Sequence, residues 1–573
     1  MKEILYSKKE YIILFFITIL ICLPFLTSLQ YIEGNDTNYH MSNIYAMYTK
    51  MCDGDFSCNK ILPIIANNYG YGSGIFYPSL SHMLPAYLTY ILQGNIVLAI
   101  KIVHFIVYYI SAIMMFKLVK KIFKSKYVAL ISAIFYITFP YAICEVFTRD
   151  ALAESFIFMF MPMVFLGLYE LFEGSKRNFY IWFIIGYIGL INSHLVMTVY
   201  FTFFVFIYLL INIKKVFSSH TFRSLVGASI LILLLTLPFT SSLIEHKFIG
   251  EYYVFEGETM ATTGLVRSAT FFPWEFLVQK SNERYLSIKQ YLNLLAVALM
   301  ILTIIRRKEI IKNDAEKKIY KCLCAFVVLA LFMMTAFPWE FMPQFMIMIQ
   351  FAWRIETMLI FALSILAALA LRNLDTRKGK IICLLIVIVF NMFTVSYSYI
   401  PSMFKDYNIK DIDMSYYGMG WEKEYLPLRT TQNMDYFWSR GNEILIRRGR
   451  ADIEKNYDNA PDLEFKVTNN EESIVVELPR IYYLGYNITF MNENNETKEL
   501  QCYMNENGFI DVKIIGNGTV KVKYTGTVVE NTSKKITLVT TSLIVIYIVF
   551  DRIKYIIFKN RHIGKTKLLS SGK

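Results

Sequence analysis

The sequence predicts a polytopic α-helical membrane protein of about twelve spans, with a β-sandwich domain outside the membrane just before the last span. Three observations predict this fold. Of the 573 residues, 55% are hydrophobic and only 18% are charged, whereas about a quarter of a typical soluble protein is charged. Apolar runs of about 20 residues recur along the chain. Only the stretch 401–535 has the composition of a soluble domain.

The Lys and Arg residues cluster in the short loops between the predicted spans and not on one face of a domain. The net charge of +13 therefore does not indicate nucleic-acid binding. The sequence also lacks the nucleotide-binding, kinase and serine or zinc protease motifs. The predicted spans are 11–29, 95–117, 127–144, 154–172, 179–193, 196–213, 224–243, 289–305, 320–338, 352–371, 381–399 and 536–550.

Basic loops alternate with charge-poor loops along the chain, which is the positive-inside pattern. This alternation predicts that both termini lie in the cytoplasm. No clean small-residue cleavage site follows 11–29, so we interpret this segment as an uncleaved signal anchor. Three large regions are then expected on the outer face: 30–94, 245–288 and 401–535.

The chain divides into a transmembrane domain at 1–400, a mainly β extracytoplasmic domain at 401–535, and a last helix with a basic cytoplasmic tail at 536–573. In the middle part, short alternating or β-branched runs are separated by turns rich in Asn and Gly, which is typical of a small antiparallel β-sandwich. These runs are 473–478, 486–491, 510–515 and 519–524.

The first outer loop combines two amphipathic runs, 41–51 and 80–92, with a glycine- and tyrosine-rich stretch between them at 69–78. Cys52 and Cys58 lie in the same loop. A small disulfide and two free thiols are both open from the sequence.

Asp36 is the sharpest candidate for chemistry, because it is a lone carboxylate at the outer end of the first span. With Tyr39 and His40 beside it, Asp36 suits a general base that takes a proton from an acceptor hydroxyl. The alternative is that Asp36 caps the amphipathic helix that follows. The residues alone leave both interpretations open.

A second candidate lies at Arg149, Asp150 and Glu154, where a span begins. Residues four apart share one face of a helix, so the two carboxylates are expected to present oxygens to a divalent cation, Mg or Mn. Arg149 would then meet a phosphate. Alternatively, two acids at a helix N-terminus complement its dipole.

His194 and Arg354 complete the candidates. His194 lies in a tight turn between two predicted spans, where it is either a ligand of a substrate phosphate or metal or a satisfied turn histidine. Arg354 begins a span on the outer side, where the positive-inside rule disfavours arginine. It is expected either to pair with Glu340 or Glu356 or to bind a phosphate.

Over nearly its full length the chain resembles the GT-C superfamily of polytopic glycosyltransferases. More closely, it resembles bacterial YfhO-type proteins and the pyruvoyl-tetrahydropterin-synthase-related membrane proteins. The resemblance rests on 35–40 (NDTNYH), 69–72 (YGYG), 76–78 (FYP), 149–154 (RDALAE), His194, 350–354 (QFAWR), 424–427 (EYLP) and 478–483 (LPRIYY). Ala352 stands where the family pattern has proline, and the first loop carries one acid where many relatives carry a pair.

The resemblance implies a GT-C-like transmembrane domain that transfers a sugar from a polyprenyl-phosphate donor in the lipid bilayer. The acceptor would be an extracytoplasmic glycan, glycolipid or polymer. Asp36 would be the catalytic base, and His40, Arg149, His194 and Arg354 would contact substrate or phosphate. Asp150 and Glu154 would be the metal ligands. A glycolipid transporter or flippase, and a non-catalytic protein of envelope assembly, are the alternatives.

Overall fold

The structure is a computed structural model, and it describes residues 8–27, 31–32, 34–147, 149–256, 266–267, 270, 293–398, 404–405, 412–420, 423–469 and 472–570. Most of the predicted outer loop 245–288 lies outside the described residues, as do the ends of the predicted spans 11–29, 289–305 and 381–399.

Helices dominate the first 400 residues, and each predicted span overlaps a helix. The helices of this part are α1 Lys9–Thr27, α2 Thr37–Cys52, α3 Ser73–Phe76, α4 Leu80–Ile91, α5 Ile96–Phe123, α6 Lys126–Thr138, α7 Pro140–Phe147, α8 Leu152–Glu173, α9 Lys176–Ser193, α10 Leu195–Ile211, α11 Ile213–Val216, α12 Ser219–Ile249, α13 Tyr253–Glu256, α14 Leu294–Ile305, α15 Arg307–Ile310, α16 Asp314–Met333, α17 Gln344–Ile347, α18 Glu356–Leu369 and α19 Arg377–Ser398, with 3₁₀ turns at Phe337–Glu340 and Ala352–Ile355.

Several of these helices begin where a polar side chain caps the first turn. Asn95 accepts a hydrogen bond from Leu98 N at the start of α5, and Asn313 accepts one from Glu316 N at the start of α16. Proline sets a boundary elsewhere: α6 and α7 meet at Pro140 with a bend of 47°, so the predicted span 127–144 is a broken helix.

Six helices among the described residues are long and apolar enough to cross a membrane, and counting the bent pair α6–α7 as one span makes seven. The chain is therefore a multi-pass membrane protein. The predicted count of about twelve and the orientation of the termini stay predictions. The six helical segments are Lys9–Leu26, Ile96–Phe123, Leu152–Glu173, Ser219–Ile249, Ala352–Leu369 and Val528–Lys554.

The segments Leu152–Glu173 and Ala352–Leu369 form the centre of the bundle. Of the most apolar 18-residue window in each, 89% of the first and all of the second are buried. Gly167 lets α8 and α9 approach closely, because a Cβ at this position would lie 2.6 Å from the backbone nitrogen of Phe183. Charged residues at the start of both central segments are therefore enclosed by protein.

The first loop folds against this centre, and its two amphipathic runs lie on α2 and α4. The short strand β1 (Tyr31–Ile32) precedes α2 and pairs antiparallel with β2 (Phe404–Lys405). Cys52 and Cys58 are both free thiols and exposed.

The region 445–524 consists of two antiparallel sheets, ordered β3-β6-β10-β9 and β4-β5-β11-β7-β8. Their apolar side chains form one shared core, in which Val476 and Val512 of one sheet meet Phe465 and Val520 of the other. The elements are α20 Met414–Tyr417, α21 Leu428–Gln432, α22 Met434–Ser439, β3 Leu445–Arg448, β4 Ala451–Asn459, β5 Asp462–Asn469, β6 Ile474–Ile481, β7 Tyr486–Asn492, β8 Thr497–Leu500, β9 Cys502–Met504, β10 Phe509–Ile514, β11 Gly518–Tyr524 and, after the sheets, α23 Val528–Ser570.

The glycine- and tyrosine-rich stretch of the first loop docks on this β region and on the segment that follows α20. Ile481 N donates to Tyr69 O at 3.1 Å, and Tyr71 Oη donates to Met419 O at 2.8 Å. Gly72 is required here, because a Cβ would lie 2.6 Å from a ring carbon of Tyr483. The β region thus holds the loop that carries the candidate residues.

Candidate functional site

Glu154 lies at the centre of a buried charged cluster on the first turn of α8. Its Oε1 accepts hydrogen bonds from Arg149 Nη2 at 3.2 Å and from Arg354 Nε at 3.0 Å. His194 Nε2 lies 3.9 Å from the same oxygen. Arg149, His194 and Arg354 therefore converge on Glu154. They come from the turn before α8, the turn between α9 and α10, and the start of the central segment Ala352–Leu369.

Arg149 connects Glu154 to two further carboxylates. Its Nη1 donates to Glu145 Oε1 at 2.6 Å, and its Nη2 lies 3.6 Å from Asp36 Oδ2. The Arg149 side chain is 4% exposed and Glu145 is fully buried, whereas Asp36 is 38% exposed. Asp36 is thus the accessible carboxylate of this cluster.

Asp36 occupies the residue position before α2, but its side chain makes no capping hydrogen bond. The carboxylate faces Arg149 instead. Partial burial of the carboxylate raises the pKa of Asp36, the positive charge of Arg149 lowers it, and Glu154 raises it further. A carboxyl with a raised pKa is a stronger base once it is ionised, as general-base catalysis requires.

Asp150 does not share a helix face with Glu154, and that part of the prediction is wrong. Helix α8 begins at Leu152, and Asp150 precedes it with φ +55°, so the spacing of four residues does not apply. Its carboxylate accepts hydrogen bonds from Tyr31 Oη at 3.0 Å, Thr37 Oγ1 at 2.7 Å and His104 Nε2 at 3.0 Å.

The two predicted metal ligands therefore lie in different hydrogen-bond networks. Asp150 is surrounded by hydroxyl and imidazole donors, and Glu154 by guanidinium groups. Within the described ranges, no group of three or more His, Cys, Asp or Glu side chains is arranged to hold a metal ion. The cation itself stays a prediction. The cluster's three carboxylates, Asp36, Glu145 and Glu154, face the guanidinium groups of Arg149 and Arg354 instead.

Arg354 lies in the 3₁₀ turn that precedes α18. Its partner is Glu154 and not Glu340 or Glu356, the two partners that the sequence left open as an alternative to a phosphate. Glu340 pairs with Arg267 instead, at 3.0 Å. Nη1 of Arg354 donates to Ile349 O at 2.8 Å and to Gln350 Oε1 at 2.9 Å. In the part of the chain that the structure describes, no group accepts a hydrogen bond from Nη2.

His194 ends α9 and begins α10. Its Nδ1 accepts a hydrogen bond from Met197 N at 3.3 Å, which assigns the ring proton to Nε2, on the side of Glu154. Burial lowers the pKa of His194 to about 4, against the opposing effect of Glu154. The side chain is a neutral hydrogen-bond donor at neutral pH.

His40 lies one turn into α2, where its Nδ1 is 2.7 Å from Nε2 of His82 on α4. Burial lowers the pKa of His82 to about 3 and that of His40 well below its ordinary value, so both rings are neutral. Tyr77 stacks on His82 with 5.5 Å between ring centroids, and it meets Tyr39 and His194 edge-on at 5.7 and 6.2 Å. Aromatic rings thus link the histidine pair to the charged cluster.

The structure brings Asp36, Arg149, Glu154, His194 and Arg354 together and places Asp150 and His40 in adjoining networks. Sequence reasoning missed Glu145, a partner of Arg149. The available signal was its position four residues before Arg149, next to an apolar run.

Residues 11–377 match the family model described as "Family of unknown function (DUF6541)". An "Uncharacterized protein" of Lactococcus lactis subsp. cremoris (strain MG1363) is 24% identical over 563 residues, with 89% of each chain covered. The predicted closer likeness to YfhO-type proteins stays a prediction.

Two solved structures are similar over part of the chain. Arabinofuranosyltransferase AftD from Mycobacteria has a TM-score of 0.46 and 11% identity, and the match covers 69% of this chain but 27% of that one. ArnT from Cupriavidus metallidurans bound to undecaprenyl phosphate has a TM-score of 0.39 and 11% identity, with 66% and 62% covered. TM-scores below 0.5 do not establish a shared fold, so the function has to follow from the site itself.

Proposed function

The chain belongs to the family described as "Family of unknown function (DUF6541)", and we propose that it is a membrane glycosyltransferase. It moves a sugar from a polyprenyl-phosphate donor to an acceptor outside the cytoplasm, a glycan, glycolipid or polymer. The location is the bacterial plasma membrane, with the site on the outer face. The single observation that carries the proposal is the accessible carboxylate of Asp36, held 3.6 Å from a buried arginine at the ends of apolar helices.

The setting of Asp36 supports a role as base. Its carboxylate is 38% exposed, while the Arg149 side chain beside it is 4% exposed. An acceptor hydroxyl can therefore reach Asp36 from solvent, and Arg149 stabilises the ionised form that accepts the proton. The carboxylate is not used as a helix cap, which leaves its oxygens for such a contact.

Arg354 supports a phosphate contact on the other side of Glu154. Two of its nitrogens are fixed by Glu154, Ile349 and Gln350, so the guanidinium is oriented before a ligand arrives. No described group accepts from Nη2, which can donate to a phosphate oxygen. The Nε2 proton of His194 is a further neutral donor near this position.

The reaction is a single displacement. Asp36 takes the proton of the acceptor hydroxyl, and the oxygen attacks the anomeric carbon of the donor sugar. The bond between that carbon and the phosphate oxygen breaks, and its electron pair leaves with the polyprenyl phosphate. Arg354, with Arg149 behind it, stabilises the charge that develops on the leaving phosphate. Because attack and departure occur on opposite faces, the anomeric configuration inverts.

The experiment is transfer of radiolabelled sugar by the purified protein in lipid nanodiscs, with a panel of undecaprenyl-phosphate-linked hexoses and pentoses as donors and cell-envelope polymers as acceptors. Asp36→Asn is expected to lower transfer about 100- to 10,000-fold, as loss of a general base does. The matched control is Asp435→Asn, which removes an exposed carboxylate on α22. The same assay with a chelator tests the predicted divalent cation.

Transfer by Asp36→Asn at the wild-type rate would overturn the assignment of the base. Specific binding of the donors without transfer would favour the alternatives, a glycolipid carrier or a non-catalytic protein of envelope assembly.

A further inference from the structure

Resting on the proposed function, we propose that Asp150 is a positioning residue, which holds Asp36 at its working distance from Arg149. Asp150 does so through Thr37, Tyr31 and the turn at 149–151. It touches neither donor nor acceptor.

The Asp150 carboxylate is saturated by donors from three distant parts of the chain. Tyr31 Oη lies 3.0 Å from both of its oxygens, Thr37 Oγ1 donates to Oδ2 at 2.7 Å, and His104 Nε2 lies 3.0 Å from Oδ1. Asp150 is 2% exposed and His104 is fully buried. A carboxylate with this many short contacts is a fixed structural point.

The backbone at Asp150 is also fixed. Its φ of +55° is in the left-handed region, which a residue other than glycine occupies only where its surroundings determine the conformation. Arg149 N donates to Cys144 O and Ala151 N to Glu145 O, both at 2.8 Å. These bonds anchor the turn to α7, and α8 begins immediately after it.

The turn at 149–151 also forms hydrogen bonds with Asp36 and with the residue after it. Asp36 N donates to Arg149 O at 3.0 Å, and the next residue, Thr37, donates to Asp150. Thr37 Oγ1 also accepts a hydrogen bond from Gly34 N at 2.8 Å, so one hydroxyl joins the turn to the backbone just before Asp36.

The position of the Asp36 carboxylate therefore depends on its neighbours. It makes no capping bond, and its described charged partner is Arg149 at 3.6 Å. The contacts of Arg354 with Glu154, Ile349 and Gln350 do not involve Asp150. Loosening the turn should misplace the base and slow the chemical step while leaving the phosphate contact intact.

The test compares Thr37→Val, which keeps the shape but loses the hydroxyl, with Thr37→Ser, which keeps the hydroxyl. Thr37→Val is expected to lower kcat about tenfold to a hundredfold, with the KM of the donor and the Kd of undecaprenyl phosphate unchanged. Thr37→Ser should restore kcat to within about twofold of wild type. Asp150→Asn should follow Thr37→Val, with Asp435→Asn as its control.

Hydrogen exchange of the peptide 34–40 gives a second readout that needs no sugar transfer. Exchange at the Asp36 amide should be faster in Thr37→Val than in wild type, and unchanged in Thr37→Ser. If Asp150→Asn does not fold, the comparison of Thr37→Val with Thr37→Ser tests the positioning role by itself.

Wild-type kcat in Thr37→Val would overturn the positioning role, as would a Kd for undecaprenyl phosphate that rises as much as kcat falls. Failure of the proposed function looks different: the wild type would then bind donors without transferring sugar, while the difference in hydrogen exchange between the Thr37 variants would remain.

Discussion

Two arginine–glutamate clusters lie at opposite ends of the same buried helix, α18. At its start, Arg354 meets Glu154; after its end, Arg372 meets Glu316. Arg372 donates to both oxygens of Glu316, at 2.6 and 2.9 Å. Its two terminal nitrogens also donate to Ile310 O at 2.8 Å and Phe123 O at 3.1 Å. One arginine thus joins three segments of the bundle, and each of its terminal nitrogens donates twice.

The cluster at the start of α18 is satisfied only in part. The carboxylates of Asp36, Glu145 and Glu154 face the guanidinium groups of Arg149 and Arg354, and the Asp36 side chain is 38% exposed. Among the described residues, Glu145 Oε2 has no hydrogen-bond partner and nothing accepts from Arg354 Nη2. A complete ion pair holds helices together, whereas unused donors and acceptors beside a partly exposed carboxylate indicate a ligand site.

The largest expected effect that separates the two clusters is on stability. Arg372→Gln leaves Glu316 as an unpaired buried carboxylate, so it should lower the free energy of unfolding by about 3 kcal/mol. The kcat of the folded protein should not change. Unfolding followed by circular dichroism in mixed detergent micelles measures this. An equal loss in Arg354→Gln would erase the distinction between the two clusters.

The next effect is on ligand affinity. Arg354→Gln removes the unused donor, while Arg149 still compensates the charge of Glu154. We expect the Kd for undecaprenyl phosphate to rise about tenfold, the loss of one charge-assisted hydrogen bond. Titration of the protein in nanodiscs measures it, with Arg372→Gln as the matched control. Unchanged affinity in Arg354→Gln would exclude Arg354 as the phosphate contact.

The smallest effect is the position of the acid limb in the pH profile. Because partial burial raises the pKa of Asp36, the base is protonated at a higher pH than a fully exposed aspartate would be. Transfer should therefore fall as the pH drops through that raised value, with full activity above it. The donor is a phosphodiester that stays singly charged in this range, so binding should not follow the same curve. A kcat that is flat down to the ordinary pKa of aspartate would contradict this role of Asp36.

Local sequence patterns predicted most of the helices, several strands and the main candidate residues of this protein. Each span predicted from hydropathy overlaps a helix, and the amphipathic runs of the first loop form α2 and α4. Alternation of apolar residues located strands β6, β7, β10 and β11. Side-chain polarity at the outer ends of apolar runs selected Asp36, Arg149, Glu154, His194 and Arg354, which the structure brings into one cluster.

Which side chains of the site pair with each other could not be predicted from the sequence. Arg354 meets Glu154 across 200 residues, and Asp150 meets Thr37 across 113. The spacing of four residues suggested that Asp150 and Glu154 share a helix face, but α8 begins only after the left-handed turn that contains Asp150. Helix and strand periodicity is a property of neighbouring residues, so the sequence by itself determined the membrane class, the helices and the candidate residues. Only the packing of α8 against α18 and of the first loop against the turn at 149–151 decided which carboxylate is accessible and which is a fixed support. A buried ion pair depends on how distant segments meet.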